Sequence, residues 1–380
     1  MDASVNRIPS SRDEKSFLLS IQLPDISREE ALYSLDELKM LVKTAGGSVA
    51  GSRLIKRQKY DSSYIAGKGF WEDNVALFEE LEIKLVILDV NNLRPGQIRN
   101  IEEKIGMRVI GRTEIILDIF ACRARSHEAQ MQVELAKLGY MLPRLRGYGA
   151  VLSRQGGGIG SRGAGESMLE KDKRHIQKRI SVLRNNLKKI EKHRELTRKG
   201  RHGAIVCAVA GYTNAGKSTL INTLSGDDLF VENRLFATLE SYTRTTYIGD
   251  GRSILLTDTV GFIRNLPHDL IASFRSTFEE IESADMVLHV VDCCSTDIHT
   301  NIKTVLSELE RCSDVERPVI LYFNKADQIS EERRLQLASE YPEGVFGSAL
   351  DKKNLSELLL SLNRGFEEIA SKKYPHYLKV

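Results

Sequence analysis

The sequence predicts an α/β protein in three parts: a small parallel α/β subdomain over residues 1–111, an antiparallel two-helix arm over 112–201, and a larger α/β domain over 202–371 with a short tail, 372–380. Three observations predict this architecture. Short apolar runs alternate with helical patterns in the first part of the chain, which is typical of a parallel sheet. Apolar residues then recur every seven positions along a long helix. Finally, a glycine loop stands between a buried strand and a helix.

The composition is that of a protein with proper hydrophobic cores. The 380 residues are 41% hydrophobic and 28% charged. No apolar run approaches the roughly 18 residues of a membrane span, so no membrane partner is expected. Residues 1–15 are polar and contain Asp2, Asp13 and Glu14, which resembles neither a secretory signal nor a transit peptide. The five cysteines match no zinc spacing, which predicts reduced thiols in a cytoplasmic protein.

The first subdomain begins with a predicted strand over 17–23. Ser27 and Glu30 then form a capping-box pattern at the start of a helix that Gly46-Gly47 ends. Lys68 lies in a glycine loop that is either a second anion site or a tight turn between a strand and a helix. The other predicted elements are strands over 48–57, 84–89 and 108–110, and helices over 70–81 and 94–105.

The arm begins with a helical pattern over 114–142, in which Ser126 is a possible cap of a second segment and Pro143 is expected to end the helix. A loop over 144–166 follows, in which 8 of 23 residues are glycine. Such a segment either orders on nucleic acid or is a flexible linker. The candidate RNA-binding residues of this loop are Arg144, Arg146, Arg154 and Arg162.

The second helix of the arm carries the heptad pattern. Leu169, Ile176, Leu183 and Ile190 recur every seven residues, with Ile180 and Leu187 between them. This seam predicts antiparallel packing on the 114–142 helix, with self-dimerisation as the alternative. Residues 168–201 contain 13 Lys/Arg and 4 Asp/Glu, a net charge of +9. That charge favours a polyanionic partner, although a solvated helix face would also account for it.

The larger domain contains the stretch Gly211-Tyr212-Thr213-Asn214-Ala215-Gly216-Lys217-Ser218-Thr219, which has the G-x-x-x-x-G-K-[ST] form of a phosphate-binding loop. It follows an apolar run, 204–210, and leads into a helical pattern, 220–224, so a chance match is a poor explanation. Backbone N–H groups of the loop and the helix N-terminus would face phosphate oxygens. Lys217 is predicted to neutralise the β- and γ-phosphates, and Ser218 to hold Mg²⁺.

Three further motifs follow in order. Thr238, 20 residues after Ser218, is a candidate switch threonine that closes on Mg²⁺ and the γ-phosphate, and the segment over 229–246 that contains it reads as polar and irregular. Asp258-Thr259-Val260-Gly261 has the D-x-x-G form, with a carboxylate that orients Mg²⁺ through water and a glycine N–H for the γ-phosphate. Asn324-Lys325-Ala326-Asp327 has the N-K-x-D form, and Ser348-Ala349-Leu350 follows a short predicted strand.

The N-K-x-D motif selects guanine. The Asp327 carboxylate can accept from both the ring N–H and the 2-amino group of guanine, whereas adenine would leave it unpaired. Asn324 would bind the base or brace the loop, Lys325 would lie along the ring, and the Ala349 N–H would donate to the guanine carbonyl. Ser348 and Leu350 flank that donor. The four motifs in this order predict a Ras-like P-loop GTPase domain, with Lys217, Thr238 and Gly261 as the catalytic residues.

The residue after D-x-x-G is Phe262, where Ras-like GTPases usually have a glutamine that orients the attacking water. A phenyl ring cannot do so, which predicts slow hydrolysis by the isolated protein. Arg244 and Arg264 lie within the switches, but neither can be assigned as an arginine finger.

The chain resembles the HflX-type ribosome-associated GTPases over about residues 15–370. This resemblance implies an N-terminal α/β subdomain, a two-helix arm and a G domain, and adds Phe236 to the nucleotide site. It also implies binding to the large ribosomal subunit, where the N-terminal part reaches rRNA near the peptidyl-transferase centre, and some members split stalled or stressed ribosomes. The stretches that carry it are 112–120, 132–136, 142–145, the glycine-arginine loop over 154–166, 236–239 and 258–263.

Two positions depart from the family pattern. Ala164 stands where the family often has proline, and Glu240-Ser241 stands where it usually has Asp-Pro. Neither position touches a phosphate, so nucleotide binding is still expected. Only a short tail follows the last predicted helix, so the extra C-terminal domain of some members is expected to be absent.

The sequence therefore predicts a Mg²⁺-dependent GTPase that binds GTP and GDP, docks on rRNA of the large ribosomal subunit in the cytoplasm, and is monomeric away from the ribosome. One alternative is a GTP-dependent switch that recruits a protein partner through the heptad arm. Another is a GTP-dependent nucleic-acid-modifying factor, for which the sequence offers no second catalytic constellation.

Overall fold

A computed structural model describes residues 14–155, 164–199, 204–226, 235–236, 242–264, 280–312, 317–352 and 354–373. For residues 146–155, 164–169, 195 and 197–199 it describes the backbone alone. The described residues fall into two compact units, which divide between Lys189 and Ile190. The predicted domain boundaries at 111/112 and 201/202 stay predictions.

The N-terminal unit contains a four-stranded parallel sheet in the order β2-β1-β3-β4. All four residues of the central strand β3 are buried, as expected for a sheet covered on both faces. Its strands are β1 (Lys15–Gln22), β2 (Ser48–Lys56), β3 (Leu85–Leu88) and β4 (Arg108–Gly111). The connecting helices are α1 (Arg28–Thr44), α2 (Lys68–Glu80) and α3 (Pro95–Ile105). The predicted parallel α/β subdomain is confirmed.

The predicted capping box begins α1. The Glu30 N–H donates to the Ser27 hydroxyl at 3.1 Å, and the Ser27 N–H donates to the Glu30 carboxylate at 2.9 Å. Two N–H groups at the helix start are thereby satisfied reciprocally. The Lys68 loop forms a tight turn, in which Gly67 takes a φ of +94° directly before α2. The Lys68 ammonium nitrogen lies 3.7 Å from a carboxylate oxygen of Glu72.

The arm consists of α4 (Arg112–Arg123), α5 (His127–Gln155) and α6 (Ala164–Lys199). Ser126 accepts a hydrogen bond from the Ala129 N–H at 3.2 Å, so it is the predicted cap of the second segment. The prediction that Pro143 ends this helix is wrong, since α5 continues to Gln155. Next to the proline, the Arg144 guanidinium donates to the Tyr140 and Leu93 carbonyls, so tertiary contacts hold the turn despite the hydrogen bond that Pro143 removes. Residues 144–155 of the predicted loop are therefore helical, and 156–163 lie outside the described residues.

The heptad seam of α6 is most buried at its centre. Ile180 and Leu183 are buried, Ile176, Leu187 and Ile190 are half-buried, and the side chain of Leu169 lies outside the described residues. Arg179 joins α6 to α5 through two 2.7 Å hydrogen bonds to the Glu134 carboxylate. The Arg179–Glu134 contact joins α6 to α5, the predicted partner, and two of the seam residues are buried in the single chain.

The C-terminal unit contains a six-stranded sheet in the order β10-β9-β8-β5-β7-β6. β6 pairs antiparallel with β7, and the other pairs are parallel. Its strands are β5 (Val206–Gly211), β6 (Thr243–Gly249), β7 (Arg252–Asp258), β8 (Met286–Asp292), β9 (Val319–Asn324) and β10 (Val345–Phe346). The helices are α7 (Lys217–Ser225), α8 (Ile298–Cys312), α9 (Glu331–Glu340) and α10 (Leu355–Lys373), with a short 3₁₀ helix over Ala326–Gln328.

Strand β6 corrects the prediction that 229–246 is irregular. It runs from Thr243 and returns to β7 through a tight turn, where Gly249, Asp250 and Gly251 have φ values of +102°, +51° and +70°. The Asp250-Gly251 pair is a strong sequence signal for a β-hairpin, so the sequence could have predicted this turn. No helix in the described part of the chain is both long enough and apolar enough to cross a membrane.

Candidate active site

The phosphate loop joins β5 to α7 in the predicted strand–loop–helix arrangement. Its two glycines are required by close packing. A Cβ on Gly211 would lie 2.3 Å from the Val290 carbonyl oxygen, and one on Gly216 would lie 2.2 Å from the Asn324 amide nitrogen. Gly216 and Asn214 also have φ values of +91° and +63°. The loop therefore has the curled backbone that a phosphate cradle needs.

Lys217 is buried inside this loop, with 7% of its surface exposed. Its ammonium group donates to the carbonyl oxygens of Gly211 and Tyr212, both at 3.0 Å. Burial lowers the pKa of Lys217 to about 8, although the nearby Asp258 charge opposes that shift. Burial and the Lys217 charge together lower the pKa of His289 on strand β8 to about 3, so this imidazole is neutral.

Ser218 and Asp258 meet beside Lys217. The Ser218 hydroxyl donates to the Asp258 carboxylate at 2.7 Å, and Asp258 is buried. A hydroxyl and a carboxylate at this spacing suit a hard cation with oxygen ligands, so these residues fit the predicted Mg²⁺ site. Thr238, the third predicted member, lies outside the described residues.

Gly261 packs directly on the phosphate loop. A Cβ there would lie 2.9 Å from the Thr213 Cα and 3.1 Å from the Lys217 ammonium nitrogen. The next residue, Phe262, accepts from the Thr213 N–H at 2.8 Å and donates its own N–H to the Gly211 carbonyl at 3.1 Å. The Phe262 ring is 3% exposed. The D-x-x-G segment is thus held against the phosphate loop by backbone pairing.

At the predicted base site, Asn324 braces two loops. Its amide nitrogen donates to the Ala215 carbonyl at 2.8 Å, and its amide oxygen accepts from the Ala349 N–H at 2.9 Å. In this structure the Ala349 N–H is therefore engaged by Asn324, and a guanine carbonyl would have to share it. Thr223 adds a 2.9 Å hydrogen bond to the Ala349 carbonyl.

Lys325 and Asp327 lie beside this brace. Lys325 donates to the Asn214 carbonyl at 3.0 Å and to the Asp292 carboxylate at 2.6 Å, so it ties the base motif to the phosphate loop. Asp327 is exposed and, within the described part of the chain, its carboxylate has no hydrogen-bond partner. It is thus available to accept from a ligand.

The other predicted nucleotide contacts are distributed as follows. Ser348 is buried and its hydroxyl accepts from the Asp351 N–H at 3.1 Å. Phe236 is buried with a φ of +53°, and Leu350 is 74% exposed. Thr219 is half-buried in the first turn of α7. These placements leave the nucleotide roles of Phe236, Thr219 and Leu350 as predictions.

Comparison with known proteins decides the family. Three family models match in chain order: GTP-binding GTPase N-terminal over 32–121, GTP-binding GTPase Middle Region over 123–201, and 50S ribosome-binding GTPase over 206–325. The GTPase HflX of Alkalihalophilus pseudofirmus is 45% identical over 341 residues, covering 89% of this chain and 80% of that one. The GTPase HflX of Caldanaerobacter subterraneus subsp. tengcongensis is 43% identical, covering 96% and 84%, and that of Escherichia coli 38%, covering 93% and 83%.

The chain belongs to the HflX family of GTPases. It hydrolyses GTP to GDP and phosphate, and its cofactor is Mg²⁺. When bound, Mg²⁺ supplies positive charge at the β- and γ-phosphate oxygens. The protein would hold the cation through Ser218 and Asp258. Lys217 would add a second positive charge, and the backbone N–H groups of the loop and of Gly261 would stabilise charge on the transferred phosphoryl group.

The candidate RNA-binding arginines of this HflX-family protein are only partly described. The Arg144 guanidinium lies 3.2 Å from the centre of the Tyr140 ring and donates to the Tyr140 and Leu93 carbonyls at 3.0 and 3.2 Å. Arg144 is therefore engaged inside the N-terminal unit. The side chains of Arg146 and Arg154 lie outside the described residues, as does all of Arg162. Their RNA contacts stay predictions.

Two features of the site were missed by the sequence analysis. Asp292, the partner of Lys325, stands at the C-terminal end of β8. Polar residues at the C-terminal ends of parallel strands often face a ligand, and this pattern could have identified Asp292 from the sequence. The contacts of Arg264 with Tyr212 and Asp297 had no such signal, since they join three separate segments.

Proposed function

We propose that this GTPase binds the large ribosomal subunit through rRNA near the peptidyl-transferase centre, and couples GTP binding and hydrolysis to ribosome splitting, rescue or assembly. It would act in the cytoplasm and be monomeric away from the ribosome. The family model that matches its G domain describes 50S ribosome-binding GTPases, which supports the large subunit as the partner.

The charge arrangement on α6 carries this proposal. The apolar seam at Ile180 and Leu183 is buried, whereas cationic side chains around the rest of the helix are exposed. A continuous basic surface on a long helix is the electrostatic footprint of nucleic-acid phosphates. The exposed cations are Lys171, Arg174, Lys178, Arg179, Arg184, Lys188, Lys189 and Lys192.

The alternative of a protein-recruiting switch has less support. It relied on the heptad seam as a docking surface, but the central seam residues Ile180 and Leu183 are already buried in the single chain. Self-dimerisation through the seam is disfavoured for the same reason.

Sedimentation with purified large subunits tests the proposal. We expect co-sedimentation with a non-hydrolysable GTP analogue, weaker binding with GDP, and a steep loss with added salt. Reversing Lys178 and Arg184 to glutamate should weaken binding and lower the salt slope, by about one per lost phosphate contact. Reversing Arg154 and Arg162 tests the loop in the same way.

Lys43→Glu on α1 is the matched control, because Lys43 is also an exposed helical lysine. Nucleotide affinity should be unchanged in all these variants. Subunit binding that is insensitive to salt and to every reversal would contradict an RNA-based interface.

A further inference from the structure

The residues directly after the D-x-x-G motif are anchored at both main chain and side chain. Phe262 pairs with the phosphate loop through its N–H and its carbonyl, at 3.1 and 2.8 Å. Two residues later, the Arg264 N–H donates to the Tyr212 hydroxyl at 2.8 Å. The Arg264 guanidinium donates to the Asp297 carboxylate at 2.6 Å.

The Arg264–Asp297 pair is well shielded from solvent. The side chains are 11% and 24% exposed. The other Asp297 oxygen accepts from the Thr300 N–H at 3.2 Å, so the same carboxylate caps the start of α8. Burial tends to raise the pKa of Asp297, but its hydrogen bonds to Arg264 and Thr300 outweigh burial and hold the pKa below its usual range. A charge-assisted hydrogen bond in such a setting is strong.

This geometry answers a question that the sequence left open. An arginine finger must present its guanidinium to the phosphates, where it stabilises charge on the transferred group. The Arg264 guanidinium instead donates to the Asp297 carboxylate, directly before α8. Its backbone is held by a hydroxyl that belongs to the phosphate loop itself.

We infer that Arg264 is a positioning residue rather than an arginine finger: with Asp297 and the Tyr212 hydroxyl, it anchors the segment after Gly261 so that the Gly261 N–H is held at the terminal phosphate of GTP. This role concerns the hydrolysis step alone and does not depend on the proposed ribosomal partner. GDP lacks the γ-phosphate, the terminal phosphate of GTP, so GDP affinity does not depend on the anchor.

The test is a double-mutant cycle with Arg264→Gln and Asp297→Asn, measured by single-turnover GTP hydrolysis of the full chain. Asparagine is a good helix cap, so the second change keeps the start of α8. Each single change should lower the rate about tenfold, because the Gly261 N–H is then less well placed at the γ-phosphate in the transition state. The double variant should be no slower than either single variant, because both remove one shared contact. Affinity for GDP should be unchanged.

Arg252→Gln is the matched control. Arg252 makes a 2.7 Å ion pair with Glu367 in the same unit, at the opposite end of β7 from Asp258, and its loss should leave the rate unchanged. An arginine finger would give a different pattern, in which Arg264→Gln is slow but Asp297→Asn is as fast as wild type or faster. That result would overturn the inference. So would a double variant in which the two reductions in rate multiply, because the two residues would then act independently. If Arg264→Gln does not fold, the Asp297→Asn rate decides alone.

Discussion

At the scale of single residues, Lys217 links phosphate binding to pH. Its ammonium group would bind the phosphates in the charged form, and burial lowers its pKa to about 8 in the ligand-free protein. Nucleotide affinity should therefore be highest below about pH 8 and fall as the pH rises through that value. Above it, an increasing share of the protein has a neutral Lys217 amine, which must take up a proton on binding.

Lys217→Arg is the control for this pH dependence, since arginine stays charged throughout the range. Titration of GDP affinity between pH 6.5 and 9.5 is the measurement. The wild-type affinity should bend downward from about pH 8, whereas any affinity that the arginine variant keeps should not bend at that pH. Parallel curves for the two proteins would show that Lys217 does not titrate as stated.

Asp327 provides the prediction for base selection. Asp327→Asn should weaken GTP binding and favour xanthosine triphosphate, because an amide can donate to the additional carbonyl of xanthine where a carboxylate cannot. The exposed carboxylate makes a purely structural effect of this change small. Competition binding with both nucleotides measures it, and unchanged GTP affinity would remove Asp327 from the base site.

The sequence predicted the ligand-facing residues better than their supporting contacts. Lys217, Ser218 and Asp258 lie together as predicted, because their motifs stand at strand ends that meet at one sheet edge. Asn324 and Lys325 instead reach across to the phosphate loop, 109 and 111 residues away along the chain. A short motif indicates which group can bind a base, but it carries no information about which distant carbonyl that group contacts.

At the scale of secondary-structure elements, one buried arginine joins three pieces of the N-terminal unit. Arg112, at the start of α4, pairs with Glu37 on α1 and with Asp89 after β3, the latter at 3.0 Å. All three side chains are buried. Asp89 also accepts from the hydroxyls of Ser20 and Ser34, at 3.1 and 2.6 Å.

Arg112→Met should lower the free energy of unfolding of this unit by about 3–5 kcal/mol, because it leaves two buried carboxylates without their counter-ion. Urea unfolding followed by tryptophan fluorescence reports on this unit, since the single tryptophan, Trp71, is buried in its core.

Lys15→Met is the control for that experiment. Lys15 pairs with Glu82 on the surface, where the two side chains are 47% and 70% exposed, and such a pair contributes at most about 1 kcal/mol. If both variants lost the same free energy of unfolding, burial would not determine how much the Arg112 network contributes to stability.

The elements also show where sequence patterns fail. The capping box at Ser27 predicted the start of α1 because its contacts are local. Pro143 was predicted to end a helix because the proline rule is local, whereas α5 continues through the proline, where Arg144 contacts the Leu93 carbonyl 51 residues away. Strand β6 was missed because it lies at the sheet edge, where its residues alternate between buried and exposed among polar side chains.

At the scale of the whole molecule, the structure explains why hydrolysis should be slow in isolation. The residue that follows Gly261 is a buried phenylalanine, which cannot orient the attacking water. Arg264, the nearby arginine of this segment, is held by Asp297. Positioning and electrostatics supply nearly all of the catalysis in phosphoryl transfer, so the missing polar group should limit the rate. The proposed partner would supply that group or order the switches.

Single-turnover GTP hydrolysis with and without purified large ribosomal subunits tests this account most directly. Slow hydrolysis by the isolated protein and a stimulation of about tenfold or more are expected, since roughly 1.4 kcal/mol of added transition-state stabilisation gives a factor of ten. Lys217→Ala should show no hydrolysis under either condition. Fast hydrolysis by the isolated protein, or no stimulation at saturating subunits, would contradict the account.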